Sequence, residues 1–190
     1  MEALRVILFL GLVLHKLLWE FLKKGEQKPA VQRRSPGLLG NWFIKPLKKL
    51  VLAFLIIQTL FLDLFPIAAD PSTLRLWGTV IYFIGLGMAL LGRLQLGKNW
   101  VDIEDYQVLP EQSLMTGGIY RYIRHPIYTG DIVLLVGLEL ALNSWLVLAV
   151  IIPLVIAVKQ ALSEEALLRQ AFPSYQAYCD RTKRFIPFVA

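Results

Sequence analysis

The sequence predicts an all-α fold: a polytopic membrane helical bundle of about five transmembrane helices, closing on a C-terminal helical hairpin. Three observations predict it. Of 190 residues, 56% are hydrophobic and only 18% are charged, against about 25% charged in soluble domains. Mean hydropathy is +0.57. Apolar runs close to the roughly 20 residues that a helix needs to cross a bilayer recur between short basic segments.

The first predicted span covers residues 3–22. Its apolar run leads into His15-Lys16 with no small-residue cleavage site, so it is expected to be a retained helix and not a signal peptide. The second covers 47–65 and is stopped by Pro66, which cannot continue a helix. The third covers 74–96 and carries Gly85 and Ala89 at the small-xxx-small spacing of close helix packing. The fourth and fifth, 126–142 and 145–162, are separated by Asn143-Ser144 alone and must form a tight antiparallel hairpin. Both are short, and whether they span or dip in and return, their open ends share one side.

Lys23, Lys24, Lys28, Arg33, Arg34, Lys45, Lys48 and Lys49 crowd the first loop, whereas the second has Asp70 before Arg75 at the next helix boundary. The positive-inside rule makes the first loop cytoplasmic. The N-terminus is then outside, and the loop 98–125 and the tail with Arg181, Lys183 and Arg184 are inside. No segment between spans is long enough to bury a core of its own. Residues 1–96 are therefore expected as a three-helix scaffold and 97–190 as the region carrying chemistry, in one integrated domain.

The net charge of +6 comes from residues scattered between apolar runs with no nucleic-acid module, so no nucleic-acid partner is expected. Cys179 is the sole cysteine, and His15 and His125 are the only histidines. That excludes an intrachain disulfide and a Cys/His metal cluster, and no metal is expected.

Six ionisable residues fall in or at the ends of predicted spans: His15, Lys16, Glu20, Asp63, Arg93 and Glu139. Lys16, Glu20 and Arg93 are expected to snorkel to the interface, with Glu20 and Lys24 as an i, i+4 pair. Glu139 lies well inside the fourth segment, where solvation or a partner is as open a reading as a functional role, and it is left outside the site.

The densest chemistry is in Gly117-Gly118-Ile119-Tyr120-Arg121-Tyr122-Ile123-Arg124-His125-Pro126-Ile127-Tyr128-Thr129-Gly130. Pro126 disfavours helix at His125 and suits a first helical position, so this is a loop entering a helix. Unpaired N–H groups at that start, with Tyr120, His125 and Tyr128 beside it, suit a bound ligand. A second cluster follows the fifth span. Glu164 is one turn beyond Gln160 and shares its face, and the hairpin allows Glu164 to approach the His125 loop. Glu165 is expected as a surface ion pair with Arg169 at i, i+4.

Arg124-His125-Pro126-Ile127-Tyr128-Thr129-Gly130 resembles the R-H-P-x-Y-x-G motif of the isoprenylcysteine carboxyl methyltransferases and their phospholipid methyltransferase relatives. Leu96-Gly97-Lys98-Asn99-Trp100, Gly118-Ile119-Tyr120, Glu164-Glu165, Phe172 with Tyr175 and Tyr178, and Arg184-Phe185-Ile186-Pro187 match in order over about residues 95–188. The resemblance implies an integral, multi-pass membrane methyltransferase with a cytoplasmic pocket for S-adenosylmethionine and a lipid or prenylated acceptor drawn from the membrane lipid. Leu114, Met115, Tyr120, His125, Pro126, Ile127, Tyr128 and Glu164 form the implied cofactor shell. His125 and Glu164 are the implied catalytic pair, and Arg121 and Gln160 the implied substrate contacts.

Two positions depart from the family. Gln112 stands where relatives often have histidine, and Gln160 where carboxyl methyltransferases of the group tend to have arginine. Carboxyl O-methylation of an isoprenylcysteine-like substrate is the implied reaction, with lipid N-methylation as the alternative. A non-catalytic scaffold or transporter is the rival of another class. No strand precedes a G-x-G-x-x-G turn, which excludes a Rossmann domain.

Overall fold

Without water to satisfy backbone N–H and C=O groups, a bilayer-embedded chain resolves into helices. A computed structural model describes residues 2–24, 41–100 and 112–187. Among these the α-helices are α1 (Glu2–Lys24), α2 (Asn41–Gln58), α3 (Ser72–Leu96), α4 (Pro126–Ala141), α5 (Ile151–Ala171) and α6 (Tyr175–Arg181). Two helical stretches, Ser72–Asn99 and Trp145–Ala171, are long and apolar enough to cross a membrane, and Lys49–Gln58 is a shorter apolar helix. Lys28, Arg33 and Arg34, used above for topology, lie outside the described residues.

The central joint is α3 on α4. Gly78, Gly85 and Gly92 recur every seven residues on α3, and Gly130 and Gly137 do so on α4. A Cβ added at Gly85 would overlap Leu134 N, and one at Gly137 would overlap Tyr82 N. The two backbones therefore touch directly, the geometry that maximises dispersion contacts where the hydrophobic effect offers helices no net drive to associate. Leu8 and Leu12 of α1 join Tyr82, Leu86, Leu134, Leu138, Ala141 and Leu142 in the buried core. The Tyr82 hydroxyl donates to Leu8 O at 2.9 Å, tying α1 to α3.

Three expectations need correction. The second span does not run to residue 65: α2 ends at Gln58, because polar groups there have better partners outside a helix. Gln58 donates to Glu139 Oε2 at 2.7 Å, and the following chain folds back over the end of α4. Its centre is Asn143, which donates to Asp63 Oδ1 at 2.7 Å and Ala68 O at 2.9 Å. Asn143 Oδ1 accepts from the N–H groups of Ile67 and Ala68 at 3.1 and 2.9 Å. Its amide is fully satisfied. Second, Arg93 does not snorkel. It is 0% exposed, donates to Gly97 O at 3.2 Å, and lies 4.3 Å from the Trp100 ring centroid. Third, the fifth segment is a 3₁₀ turn, Trp145–Val150, followed by α5, which continues to Ala171. Glu164 and Glu165 are thus on a continuous helix. Glu20 pairs with Lys16 one turn earlier; the side chain of Lys24 lies outside the described residues.

The Asp63 carboxyl is held below its ordinary range, first by the Asn143 amide and further by Arg75, whose guanidinium is 2.7 Å from Oδ2. A carboxylate depressed by folding contributes stability that is full above its unfolded pKa and is lost as pH falls through the folded one. Asp63→Asn should accordingly lower the melting temperature at neutral pH. The deficit should shrink as wild-type and variant proteins are unfolded at progressively more acidic pH, below about 4.

Candidate active site

The pocket is built by four chain segments meeting at the start of α4. At its rim, Ser113 N donates to Asn99 Oδ1 at 2.9 Å, which holds the Leu114-Met115 strip against the end of α3. Gly118 then turns with φ +58, and a Cβ there would overlap the Gln95 amide. That turn lets Ile119 N donate to Gln95 Oε1 at 2.8 Å and begins the 3₁₀ turn Gly118–Arg121. Tyr120 is thereby turned inward, its hydroxyl donating to Gly92 O at 3.1 Å. Tyr178 of α6 donates to Tyr120 O at 2.7 Å. Burial first, and the nearby Glu164 charge second, push the Tyr120 hydroxyl far above its ordinary pKa, so it is a neutral donor.

His125 has φ −123 and ψ 58, outside the helical region, and Pro126 follows as a first helical residue. No side chain caps this helix start, and the first helical bond is Thr129 N to His125 O. The N–H groups of Ile127 and Tyr128 precede it at the positive end of the helix. Tyr128 donates to Glu164 Oε2 at 3.2 Å, and His125 Nδ1 is 3.8 Å from the same oxygen. The imidazole is nearly parallel to the Tyr128 ring, with centroids 5.5 Å apart.

The expected Glu165–Arg169 pair forms, but it is not on the surface. Glu165 is 0% exposed and is ringed by Arg124, His125, Arg169 and Arg184. Arg124 Nε is 3.0 Å from Oε1, and Arg184 reaches both oxygens at 2.9 Å. His125 Nε2 lies 3.3 Å from Oε1. Arg169, the partner expected from spacing, is the outermost contact at 3.3 Å. The carboxylate holds the Arg184 guanidinium still higher than its ordinary pKa. The C-terminal segment completes this node: Arg124 N donates to Lys183 O at 2.8 Å and His125 N to Arg184 O at 3.1 Å. Burial on α5 was invisible to a pairwise i, i+4 argument, because the burying groups come from the R-H-P loop and the tail.

These segments enclose about 710 Å³ of empty space, open mouth included. Its lining contains all eight residues of the sequence-derived shell: Leu114, Met115, Tyr120, His125, Pro126, Ile127, Tyr128 and Glu164. Arg121 and Gln160 are not in the lining. Trp100, Leu168, Tyr175 and Tyr178 are, and no site role was given to them above. The i, i+3 spacing of Tyr175 and Tyr178 was the available signal. Among the described residues no group of three or more His, Cys, Asp or Glu side chains could hold a metal ion.

The profile of phospholipid methyltransferases matches residues 74–174, more than half of the chain. The chain belongs to that family. It is similar to a probable protein-S-isoprenylcysteine O-methyltransferase of Oryza sativa subsp. indica, 28% identical over 130 residues that cover 66% of this chain and 68% of that protein. It is also similar to the nickel-cobalt-cadmium resistance protein NccN of Alcaligenes xylosoxydans xylosoxydans, 34% identical over 107 residues, 55% of this chain and 47% of that one. Among solved structures it shares the fold of the eukaryotic intramembrane Ras methyltransferase ICMT, with a TM-score of 0.55 and 23% identity. That match covers 61% of this chain and 43% of the other, so the chain spans less than half of that structure's length. Family and fold agree with the resemblance read from the R-H-P motif.

Proposed function

We propose that this protein is an integral, multi-pass membrane methyltransferase that uses S-adenosylmethionine to methylate a lipophilic acceptor. Carboxyl O-methylation of an isoprenylcysteine-like substrate is the leading reaction. The observation that carries the proposal is convergence: His125 and Pro126 lie 39 and 38 positions from Glu164 in sequence, yet all three line one cavity. The cavity suits the cofactor chemically. It is mostly aromatic and aliphatic with a few polar groups, like most small-molecule sites. Glu164, with 42% of its side chain exposed, is a carboxylate open to ribose hydroxyls or an amine. Tyrosine rings favour a neighbouring cation, and the N–H groups of Ile127 and Tyr128 favour a carboxylate.

When bound, S-adenosylmethionine supplies a methyl group on a cationic sulfur. The chain's own work is to hold, align and dry. Glu164 anchors the polar edge, the start of α4 receives the anionic end, and Leu114, Met115, Ile127 and Leu168 exclude water. In-line displacement needs little beyond donor and acceptor held about 3 to 3.5 Å apart. A carboxylate acceptor needs no base at neutral pH, whereas an ammonium must first lose a proton. That proton needs a base, for which His125 or the Glu164 carboxylate in the cavity wall is in reach.

A second reading, lipid N-methylation, is favoured by one observation. Gln160 replaces an arginine, and Arg124, Arg169 and Arg184 are all engaged by Glu165, which leaves a substrate carboxylate few cations. In either case five spans, an outside N-terminus and a cytoplasmic pocket are the proposed topology, supported by the basic first loop and the positive-inside rule.

Purified protein in detergent should bind S-adenosylmethionine by calorimetry. Glu164→Ala and His125→Ala should weaken binding about tenfold or more, as expected for losing a charge-assisted hydrogen bond. Wild-type protein with no binding would remove the enzyme reading. Incubation with methyl-labelled cofactor and membrane lipid extract then separates the two reactions: an O-methyl ester releases its label in base and an N-methyl group does not.

A further inference from the structure

A second ionisable pair lies one helical turn from the cavity, and the reaction described so far does not use it. His15 Nε2 of α1 is 3.1 Å from Asp131 Oδ1 of α4, with 24% and 40% of the two side chains exposed. Asp131 follows Tyr128 by three residues and Ile127 by four, both cavity-lining. It therefore shares their helix face, with Cβ atoms about 5 to 6 Å apart. The approach from α1 is also continuous. His15 stacks on Trp19 with centroids 4.6 Å apart, Arg93 lies over Trp19 at 5.9 Å and over Trp100 at 4.3 Å, and Trp100 is cavity wall.

An ionisable pair within helices of a membrane protein is costly and marks a functional site by default. The buried polar contact elsewhere in the helices has a structural occupation: Gln58 and Glu139 face each other, 2% and 3% exposed. The His15–Asp131 pair is instead open on one side. Among the described residues the only hydrogen-bond partner of Asp131 is His15, so its carboxylate has acceptor capacity left over. With Glu164 in the wall and Arg124 held by Glu165, a head group beside Asp131 meets carboxylates, and the Arg93 guanidinium nearby lies over Trp19 and Trp100 and donates to Gly97 O. Such a setting suits a hydrogen-bond donor.

We propose that His15 and Asp131 hold the head group of the methyl acceptor through an N–H donor, an amide or an ammonium. This rests on the methyltransferase reading above. A prenylated cysteine and an aminolipid both carry such a donor, and the test separates them.

Full-length protein in nanodiscs is given labelled S-adenosylmethionine with one of three acceptors. N-acetyl-S-farnesyl-L-cysteine has a carboxylate and an amide N–H; 3-(farnesylthio)propionic acid has the same tail and carboxylate without nitrogen; phosphatidylethanolamine vesicles supply an ammonium. The expected result is that a nitrogen-bearing acceptor exceeds the nitrogen-free acid by about tenfold to a hundredfold in kcat/KM, the range for one hydrogen bond to a charged group. Asp131→Ala should erase that preference by raising KM for the nitrogen-bearing acceptor, and His15→Gln should reduce it. Cofactor affinity should be unchanged in both.

Label in the cysteine derivative identifies an amide donor, and label in phosphatidylethanolamine an ammonium; either supports the proposal. Equal use of the first two acceptors with no labelled phosphatidylethanolamine overturns it, as does equal loss on all acceptors in Asp131→Ala, which would mean a structural pair. Cofactor binding with no acceptor methylated also overturns it. Absence of cofactor binding in wild-type protein is the separate failure of the underlying reading.

Discussion

Replacing Glu165 by glutamine is expected to abolish cofactor binding and to destabilise the protein by roughly 3 to 5 kcal/mol, the range for breaking one partner of a buried ion pair. The size follows from what the carboxylate holds. Its two oxygens accept from Arg124 and Arg184 and face the His125 ring. The neutral amide leaves Arg124 buried without its counter-charge, and its NH₂ group opposes donors where an oxygen accepted them. The loss should spread to the tail, because Arg124 also donates to Cys179 O at 3.2 Å and to Thr182 O. Arg169→Ala is the control. Arg169 is 46% exposed and four residues away on the same helix, and such a pair contributes at most about 1 kcal/mol. Thermal unfolding and calorimetry on both variants check this. Equal destabilisation would mean that Glu165 is the ordinary surface pair its spacing suggested. Glu165 is in these terms a positioning residue: it keeps His125 and the tail in register with the cavity.

Gly85→Leu should prevent accumulation of folded protein, whereas Gly87→Leu, two residues on, should be nearly neutral. Overpacking a core costs typically 1 to 3 kcal/mol when side chains can yield. At Gly85 the obstructing atoms are backbone, Leu134 N and Gly130 O, and a Cβ alone overlaps them. Backbone cannot change rotamer, so α3 and α4 must separate along the seam, and every dispersion contact between them weakens. Gly87 has nothing within 4 Å of its Cβ position. The pocket should fail together with the fold at Gly85, since the same seam continues to Gly92, whose Cβ position is 3.0 to 3.3 Å from Pro126 and Ile127. Monodispersity in detergent and melting temperature separate the two variants. A Gly85→Leu protein as stable as wild type would mean that the helices do not meet there.

Much of the cavity was legible in the sequence because its ingredients are local. Pro126 after His125 favours a helix start whatever surrounds it, and Gly117-Gly118 favours a turn before it. Gly85 with Ala89 signalled close packing, but the seven-residue recurrence through Gly78 and Gly92 to partners on α4 depends on which helix lies opposite. The end of α2 was misjudged for a related reason. An apolar run of span length carries no mark of Asn143, a residue 80 positions from Asp63 whose amide draws the chain out of helix. Arg93 was expected to reach water because long side chains can; in the structure, the Trp100 ring and Gly97 O provide its setting within the protein.

What the sequence determined by itself was the apolar helical character of the chain and the local geometry of the R-H-P corner, since backbone sterics and hydropathy act over a few residues. Only the tertiary structure decided that, of two adjacent glutamates, Glu165 would be the buried one. Glu164 and Glu165 differ by one step on α5, about 100° around its axis, and that rotation turns one toward the cavity and the other into three arginines. The physical reason is that burial of a charge is set by the summed positions of its partners, and those of Glu165 come from three separate parts of the chain.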